Sequence, residues 1–310
     1  MSYRTSLGSA VLLAGLFVSC GEKQPGQTTV PGVSFKPALL VIDIQNEYLP
    51  AMDQKDVKPG MEAINTVIGM FRKHQYPVIC VHHTQIGQGP APGTEAFEFP
   101  KTVPVRVDDP QIIKNYPSAF TKTSLDSLLK ARGCNAVYLC GLSAVGCVLA
   151  TYFGAMDRGY DTYMVRDAII SHNADYTNVI RNITSALPLP FVELNLKVLS
   201  DEVKKLEDMS AETLRRDYGI TAPDQLNIIG YNLIFKDRLA DAIIVMKANL
   251  RLFPEEPNCY DSLGDAYERN NQKDFALSHY EKAYRKAKET DDPNLQAYEK
   301  NYRRLKESQK

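Results

Sequence analysis

The strongest constraint on the fold is a strand, a turn and a helix in direct succession over residues 136–161. Ala136–Leu139 is a continuous apolar run, Gly141–Gly146 is a turn bounded by glycines, and Cys147–Arg158 has the apolar spacing of an amphipathic helix. Cys147 falls where the turn becomes the helix, among unpaired backbone N–H groups at the positive end of the helix dipole. Both features favour a thiolate, so Cys147 is a candidate nucleophile. The alternative is a structural cysteine on a buried helix, the usual place of a free thiol.

The same alternation of apolar runs and helical patterns extends over residues 38–199. Runs without polar alternation are typical of parallel strands that are buried on both faces. Strands that alternate with helices form a parallel sheet covered on both sides, so the sequence predicts a three-layer α/β/α domain. The predicted strands are Ala38–Ile44, Pro77–His82, a short strand ending at Lys114, Ala136–Leu139, Asp161–Val165 and Pro190–Leu194, and the predicted helices around them include Pro59–Gln75, Thr123–Ala131 and Asp175–Ser185.

Polar residues follow the predicted strands at their carboxyl ends, where ligands of parallel sheets bind. Asp43 lies in a hydrophobic strand, where a carboxylate is costly unless it is paired, used in chemistry or caps the next element. His82 and His83 point to opposite faces of their strand, so they do not jointly hold one metal ion. Lys114 is expected to point into the same crevice. The Gly- and Pro-rich segment Gly87–Asp109 has the length of a lid or binding loop.

The first 37 residues indicate export. Arg4, the apolar run Ala10–Val18 and the small residues after it form a secretory signal over residues 1–19, too short to span a bilayer. The signal resembles that of bacterial lipoproteins, which implies cleavage before Cys20, lipidation of Cys20 and a membrane-anchored protein facing the periplasm or the cell surface. A cleaved signal without a lipid is the alternative. Residues 20–37 are predicted to be a flexible tether.

Composition excludes several classes of site. There is no basic stripe interleaved with aromatic residues and the net charge is −1, so no nucleic-acid partner is expected. The cysteines beyond the signal are odd in number, form no CxxC pair, show no zinc-ligand spacing and are expected to be mostly buried thiols. They are Cys80, Cys134, Cys140, Cys147 and Cys259.

The last third of the chain is predicted to be entirely helical. Gly230 and Gly264 lie 34 positions apart, as do Ala242 and Ala276. This spacing resembles tetratricopeptide repeats, so we expect a linker helix over residues 200–222 and helical hairpins over residues 223–310. Such an array implies a groove for a peptide or protein partner, and a spacer or dimerisation element is the alternative. The predicted helices are Pro223–Lys236, Leu239–Leu252, Asn258–Asn270, Gln272–Thr290 and Asn294–Glu307.

Three motifs lie at the elements where chemistry is expected. They are Leu40-Val41-Ile42-Asp43-Ile44-Gln45; Lys114 with Ser118-Ala119-Phe120, Thr123 and Leu125; and Gly141 with Cys147-Val148, Thr151, Ala155, Gly159-Tyr160 and Asp167-Ala168. In this order they resemble the isochorismatase-like cysteine hydrolases, and the resemblance covers roughly residues 38–199.

The resemblance implies a catalytic triad of Asp43, Lys114 and Cys147. A thiolate attacks an amide carbonyl, Lys114 lowers the thiol pKa, and Asp43 takes the thiol proton and returns it to the leaving amine. The resemblance also places an oxyanion hole at the Cys147 amide and at an amide after a non-proline cis peptide bond, here Leu142–Ser143.

Further expectations concern the pocket and the reaction. Gln45, His83 and Phe120 are candidate pocket residues that bind a small-molecule substrate. The metal-binding Asp-x-His pair of nicotinamidases is absent at residues 84–86, so no metal and no cofactor are expected. Because Cys147 is retained, the resemblance favours hydrolysis of an amide or carbamoyl C–N bond. The alternatives are enol-ether hydrolysis, as in isochorismatases, and a catalytically silent scaffold for binding through the repeats.

Overall fold

A computed structural model describes residues 35–84, 89–199 and 203–309. The predicted signal, the predicted lipidation site Cys20 and nearly all of the predicted tether lie outside the described residues. Within the described residues, no helix combines the length and the apolar character needed to cross a bilayer.

The described residues contain one sheet of five parallel strands in the order β3-β2-β1-β4-β5. The central strands β1 and β4 are buried along their whole length, because helices cover both faces of the sheet. The prediction of a parallel α/β/α sheet is therefore confirmed. The strands are β1 Pro37–Ile42, β2 Val78–His83, β3 Gln111–Lys114, β4 Ala136–Leu142 and β5 Asp161–Ile170.

Helices divide between the two faces according to the pleat of β1. Leu39 and Val41 point to one face, where α1 and α5 pack, and Leu40 and Ile42 point to the other, where α2, α3 and α4 pack. A single π-helical turn, Ala144–Val148, leads into α3. The helices are α1 Gln54–Lys73, α2 Leu125–Ala131, α3 Leu149–Met156, α4 Ala174–Ile183 and α5 Leu189–Leu199.

The predicted strand Pro190–Leu194 is wrong, because this segment is part of helix α5. Its helical turn begins where the N–H groups of Phe191 and Val192 both donate to Pro188 O. Most of α5 is buried, so its residues are apolar nearly all round, and a short apolar run of this kind fits a buried strand equally well. The chain reaches the sheet just before the helix, through a single parallel bridge of Leu187 to Val165.

The C-terminal region is all helical, as predicted. It begins with a 3-10 turn, Val203–Leu206, and continues as α6 Ala211–Tyr218, α7 Pro223–Phe235, α8 Leu239–Leu252, α9 Pro257–Arg269, α10 Lys273–Glu289 and α11 Leu295–Glu307. A Cβ atom on Gly230 would lie 2.8 Å from Met246, and one on Gly264 would lie 2.8 Å from Tyr280. The 34-residue spacing thus marks the same close helix contact in the hairpins α7–α8 and α9–α10.

The helical region and the sheet share one hydrophobic core. Apolar residues of α5, α7 and α8 lie in the same cluster as Leu39 of the central strand β1. Polar contacts add to this packing: Asn195 Nδ2 donates to Tyr138 Oη over 2.8 Å, and Lys236 forms an ion pair with Asp161. The described residues accordingly belong to one compact unit.

Candidate active site

The carboxyl edge of the sheet brings Asp43, Lys114 and Cys147 together. Asp43 directly follows β1, Lys114 ends β3, and Cys147 lies in the π turn after β4. Lys114 Nζ lies 2.7 Å from Asp43 Oδ2, and a carboxylate oxygen of Asp43 lies within 4.8 Å of Cys147 Sγ. Asp43 and Lys114 are buried, whereas Cys147 is half-buried. Their catalytic roles stay predictions.

A strained backbone places the Asp43 carboxylate. Asp43 has φ of +54°, a left-handed conformation that costs a non-glycine residue about 1–2 kcal/mol. Its N–H still donates to Val81 O over 2.9 Å, so the strand pairing continues while the side chain turns into the site. Next to it, Gly141 has φ of +117°, and a Cβ there would lie 2.0 Å from Ile42 O. Only glycine lets β4 pass β1 this closely.

The predicted cis peptide bond at Leu142–Ser143 is wrong, because the described residues contain no cis bond. Leu142 ends β4, and Ser143 continues it in an extended conformation with φ of −81° and ψ of 137°. Ser143 O then accepts the N–H groups of Gly146 and Val148, at 2.9 and 3.2 Å. The wide turn therefore brings the chain into the helix with an all-trans backbone.

Thr151 connects the nucleophile's turn to the segment that follows Lys114. Its Oγ1 donates to Cys147 O over 2.7 Å and accepts the N–H of Ala119 over 3.0 Å. Thr151 is fully buried, and its bond with Ala119 is buried with it. This contact explains why Ala119 and Thr151 occur in the motifs although neither carries chemistry.

Burial dominates the electrostatics of the site. It raises the pKa of Asp43 to about 6, against the lowering effect of Lys114. It raises the pKa of Cys147 to about 11, and the Asp43 charge adds to this while Lys114 opposes it. Burial therefore opposes the lowering of the thiol pKa by Lys114 that the resemblance implies, because desolvation outweighs the effect of the nearby cation. At neutral pH the site holds a thiol beside an ionised carboxylate, the state from which Asp43 can accept the thiol proton.

The side chains of the two histidines at the end of β2 point to opposite faces of the strand, as predicted. His82 is buried between Phe97 and Phe99 of the Gly- and Pro-rich segment, with ring centroids 4.8 and 4.2 Å away. His83 points into the site, where its Nδ1 lies 3.1 Å from Lys114 Nζ. His82 therefore holds the long segment on the sheet, and His83 belongs to the active-site cluster.

The two other pocket candidates, Gln45 and Phe120, are buried and support the structure around the site. Gln45 is fully buried, and its amide pairs with the backbone of His83 in both directions, at 3.0 and 2.7 Å. Phe120 is buried against Tyr160 and the guanidinium of Arg158. Gln45 thus positions His83, and Phe120 belongs to the core.

Sequence reasoning missed Tyr48, which borders the site. Its hydroxyl donates to His83 O over 3.3 Å. Burial raises the pKa of Tyr48 to about 12, and the nearby Asp43 and Cys147 charges raise it further. Its signal in the sequence is an aromatic residue five positions after Asp43, on the short turn that follows β1.

The cluster also has the composition of a metal site. One ligand atom each from Asp43, His83 and Cys147 lies within 4.8 Å of the others. The Lys114 ammonium contacts Asp43 and His83 and repels any second cation. The donor set therefore fits a lysine-bridged proton-transfer site better than a metal centre.

Comparison with known proteins gives the family. The sequence profile of the isochorismatase domain matches residues 37–187. The uncharacterized isochorismatase family protein YddQ of Bacillus subtilis is 33% identical over 136 residues, which cover 42% of this chain and 76% of the relative. The maleamate amidohydrolase of Pseudomonas putida is 29% identical over 163 residues, or 46% of this chain and 76% of the relative.

Among solved structures, the N-carbamoylsarcosine amidase from Thermoplasma acidophilum is 26% identical with a TM-score of 0.45, over 50% of this chain and 95% of that one. An isochorismatase-like hydrolase from Alkaliphilus metalliredigens is 20% identical with a TM-score of 0.48, over 52% and 99%. With the domain profile and the relative YddQ on the same residues as the described site, the chain belongs to the isochorismatase family and is a hydrolase.

Proposed function

We propose that this chain is a cysteine hydrolase that cleaves the C–N bond of a small amide or carbamoyl compound. The observation that carries the proposal is the buried pair of Asp43 and Lys114 beside the half-buried thiol of Cys147. The similarity to a maleamate amidohydrolase supports the same class of bond.

The proposed reaction has two halves, acylation of Cys147 and hydrolysis of the resulting thioester. The ionised Asp43 carboxylate accepts the Sγ–H proton as the sulfur attacks the carbonyl carbon, and the Lys114 ammonium stabilises the negative charge on the sulfur. Backbone N–H groups of the first turn, including that of Cys147, bind the oxyanion. Asp43 then protonates the leaving nitrogen, which departs as an amine or ammonia. Water hydrolyses the thioester with Asp43 as base, which releases the acid and restores the thiol.

Ammonia or amine release from a panel of small amides and carbamoyl compounds tests the proposal. We expect activity in the wild type and a loss of at least about 1000-fold in kcat for Cys147→Ala. Cys259→Ala, at a buried cysteine in the helical region, is the matched control and should keep full activity. Intact-mass measurement during turnover should detect an acyl adduct that disappears in Cys147→Ala.

The alternatives give different results. If an enol ether is turned over, and Cys147→Ala keeps most of that activity while Asp43→Ala loses it, the enzyme hydrolyses enol ethers instead. If no compound is turned over and intact-mass measurement detects no acyl adduct on Cys147, the fold serves as a silent scaffold.

We further propose that the protein is exported and lipidated. The support is the sequence alone: a basic start, the apolar run Ala10–Val18 and Cys20. Metabolic labelling with an alkyne fatty acid should mark the wild type and leave Cys20→Ala unlabelled. Recovery of Cys20→Ala in the membrane fraction with the label intact would contradict the assignment.

The helical region is proposed to be a tetratricopeptide-like array that binds a peptide or protein. The equal close contacts at Gly230 and Gly264 support the repeat, and Phe235, 77% exposed on α7, offers an apolar contact for a partner. Crosslinking in cells followed by mass spectrometry should identify a partner with the wild type and lose it with Phe235→Ser. If the two chains give the same crosslinks, the region is a spacer.

A further inference from the structure

The geometry points to His83 as a positioning residue that orients the Lys114 ammonium toward the Cys147 sulfur. This inference rests on the proposed roles of Lys114 and Cys147. It concerns a side chain that the triad itself does not include.

The hydrogen bonds of Lys114 define the role. A lysine ammonium has three N–H donors and no acceptor. One faces Asp43 Oδ2 at 2.7 Å and a second faces His83 Nδ1 at 3.1 Å. With two N–H groups engaged in this way, the third is left for Cys147, whose sulfur lies within 4.8 Å of a carboxylate oxygen of Asp43 and of a ring nitrogen of His83.

The contact with Lys114 also fixes the tautomer of His83. Because lysine only donates, Nδ1 must carry the lone pair and the ring proton must be on Nε2. Burial and the Lys114 charge lower the pKa of His83 to about 4, so the ring stays neutral wherever Asp43 is ionised. His83 thus acts as a permanent acceptor.

The backbone of His83 is held from three sides. It pairs with Lys114 itself in the β2–β3 register, so the two side chains start from neighbouring positions. The Gln45 amide bonds its N–H and its C=O, and the Tyr48 hydroxyl bonds the same C=O. Because the backbone of His83 is fixed in this way, its ring nitrogen offers a stationary acceptor to the flexible side chain of Lys114.

Two variants separate positioning from mere packing. His83→Asn keeps an acceptor close to the Nδ1 position, whereas His83→Leu keeps the bulk and removes the acceptor. The readout is the rate of Cys147 alkylation by iodoacetamide against pH, resolved by peptide mass spectrometry. It needs no substrate, so the inference can fail or hold independently of amide hydrolysis.

We expect His83→Leu to raise the apparent pKa of Cys147, which slows alkylation at a fixed pH by about tenfold. His83→Asn should stay within about threefold of the wild type. His279→Leu, on α10 in the helical region, is the matched control and should change nothing. In a Lys114→Met background, His83→Leu should have no further effect, since it acts through the lysine.

Three results would overturn the inference. They are alkylation of His83→Leu at the wild-type rate, equal slowing by His83→Asn and His83→Leu, and an effect of His83→Leu that persists without Lys114. If His83→Leu does not fold, His83→Gln replaces it, because its acceptor lies further out, near the Nε2 position.

Discussion

The Asp43 carboxylate and the Lys114 ammonium lie 2.7 Å apart with side chains that are 4% and 0% exposed. Each charge has lost its water, and each is compensated mainly by the other. A buried pair of this kind contributes little net stability as a whole, but either half alone is very unfavourable. The proposed chemistry and the stability of the fold therefore both depend on the ion pair of Asp43 and Lys114.

The first prediction concerns loss of one charge. Lys114→Met should destabilise the protein by about 3–5 kcal/mol at neutral pH, because Asp43 is left as a buried, uncompensated anion. The double variant Asp43→Asn with Lys114→Met should recover most of that loss. Urea denaturation measures both. Lys130→Met removes an exposed ion pair with Asp126 and should change stability by less than about 1 kcal/mol.

A second prediction is the acid limb of the pH–rate profile. Burial raises the pKa of Asp43 from 3.8 to about 6, and the base must be ionised, so kcat/KM should fall about tenfold per pH unit below that value. The raised pKa of Asp43 also makes the free energy of unfolding depend on pH. Because the folded protein binds this proton more tightly than the unfolded chain, the contribution is present below pH 3.8 and is lost as the pH rises through about 6. A limb near pH 4 would assign the base to another group.

A third prediction tests the close passage of β4 beside β1. Gly141→Ala should abolish activity and destabilise the fold by more than about 3 kcal/mol, because the new Cβ would meet Ile42 O at 2.0 Å and the backbone φ is +117°. Gly159→Ala is the matched control, with φ of +79° and no atom within 4 Å. It should cost only about 1–2 kcal/mol, the cost of a left-handed conformation. Thermal denaturation and ammonia release distinguish the two.

A fourth prediction concerns the shared core. Ile229 and Ile228 are neighbours on α7, but Ile229 is 1% exposed and Ile228 is 45% exposed. Ile229→Asp should lower the unfolding midpoint and expose Cys147 to alkylation in the same transition, because the helices and the sheet share a core. Ile228→Asp should leave both unchanged. Separate transitions for the helical region and the sheet in the wild type would contradict a shared core.

Local patterns were sufficient to predict most of the architecture. The runs that became β1, β2 and β4 are apolar without alternation, which is typical of central parallel strands. The helices α7–α11 have clear apolar spacing and polar turns between them. Helix α5 was assigned wrongly because it is buried nearly all round, so it lacks the amphipathic pattern that distinguishes a helix from a strand.

The residues of the site could be predicted from the sequence, but the protonation state of the thiol could not. The order of Asp43, Lys114 and Cys147 at strand ends was visible in the sequence, since carboxyl ends of parallel strands meet at one edge. The protonated thiol was not, because the depth of burial is a tertiary property. The hydrogen bond between Lys114 and His83 was also invisible, since it depends on the register of β2 against β3.

The order of the strands has a consequence for motion. Asp43 and Cys147 follow β1 and β4, which pair with each other at the centre of the sheet, whereas Lys114 ends the four-residue strand β3 at its margin. Fraying of a short outer strand is the cheapest local opening available to a sheet. Transient detachment of β3 would move the Lys114 ammonium away from the site while Asp43 and Cys147 stay in place. Variants in which the β3 amides exchange faster should therefore also show a less reactive Cys147 thiol.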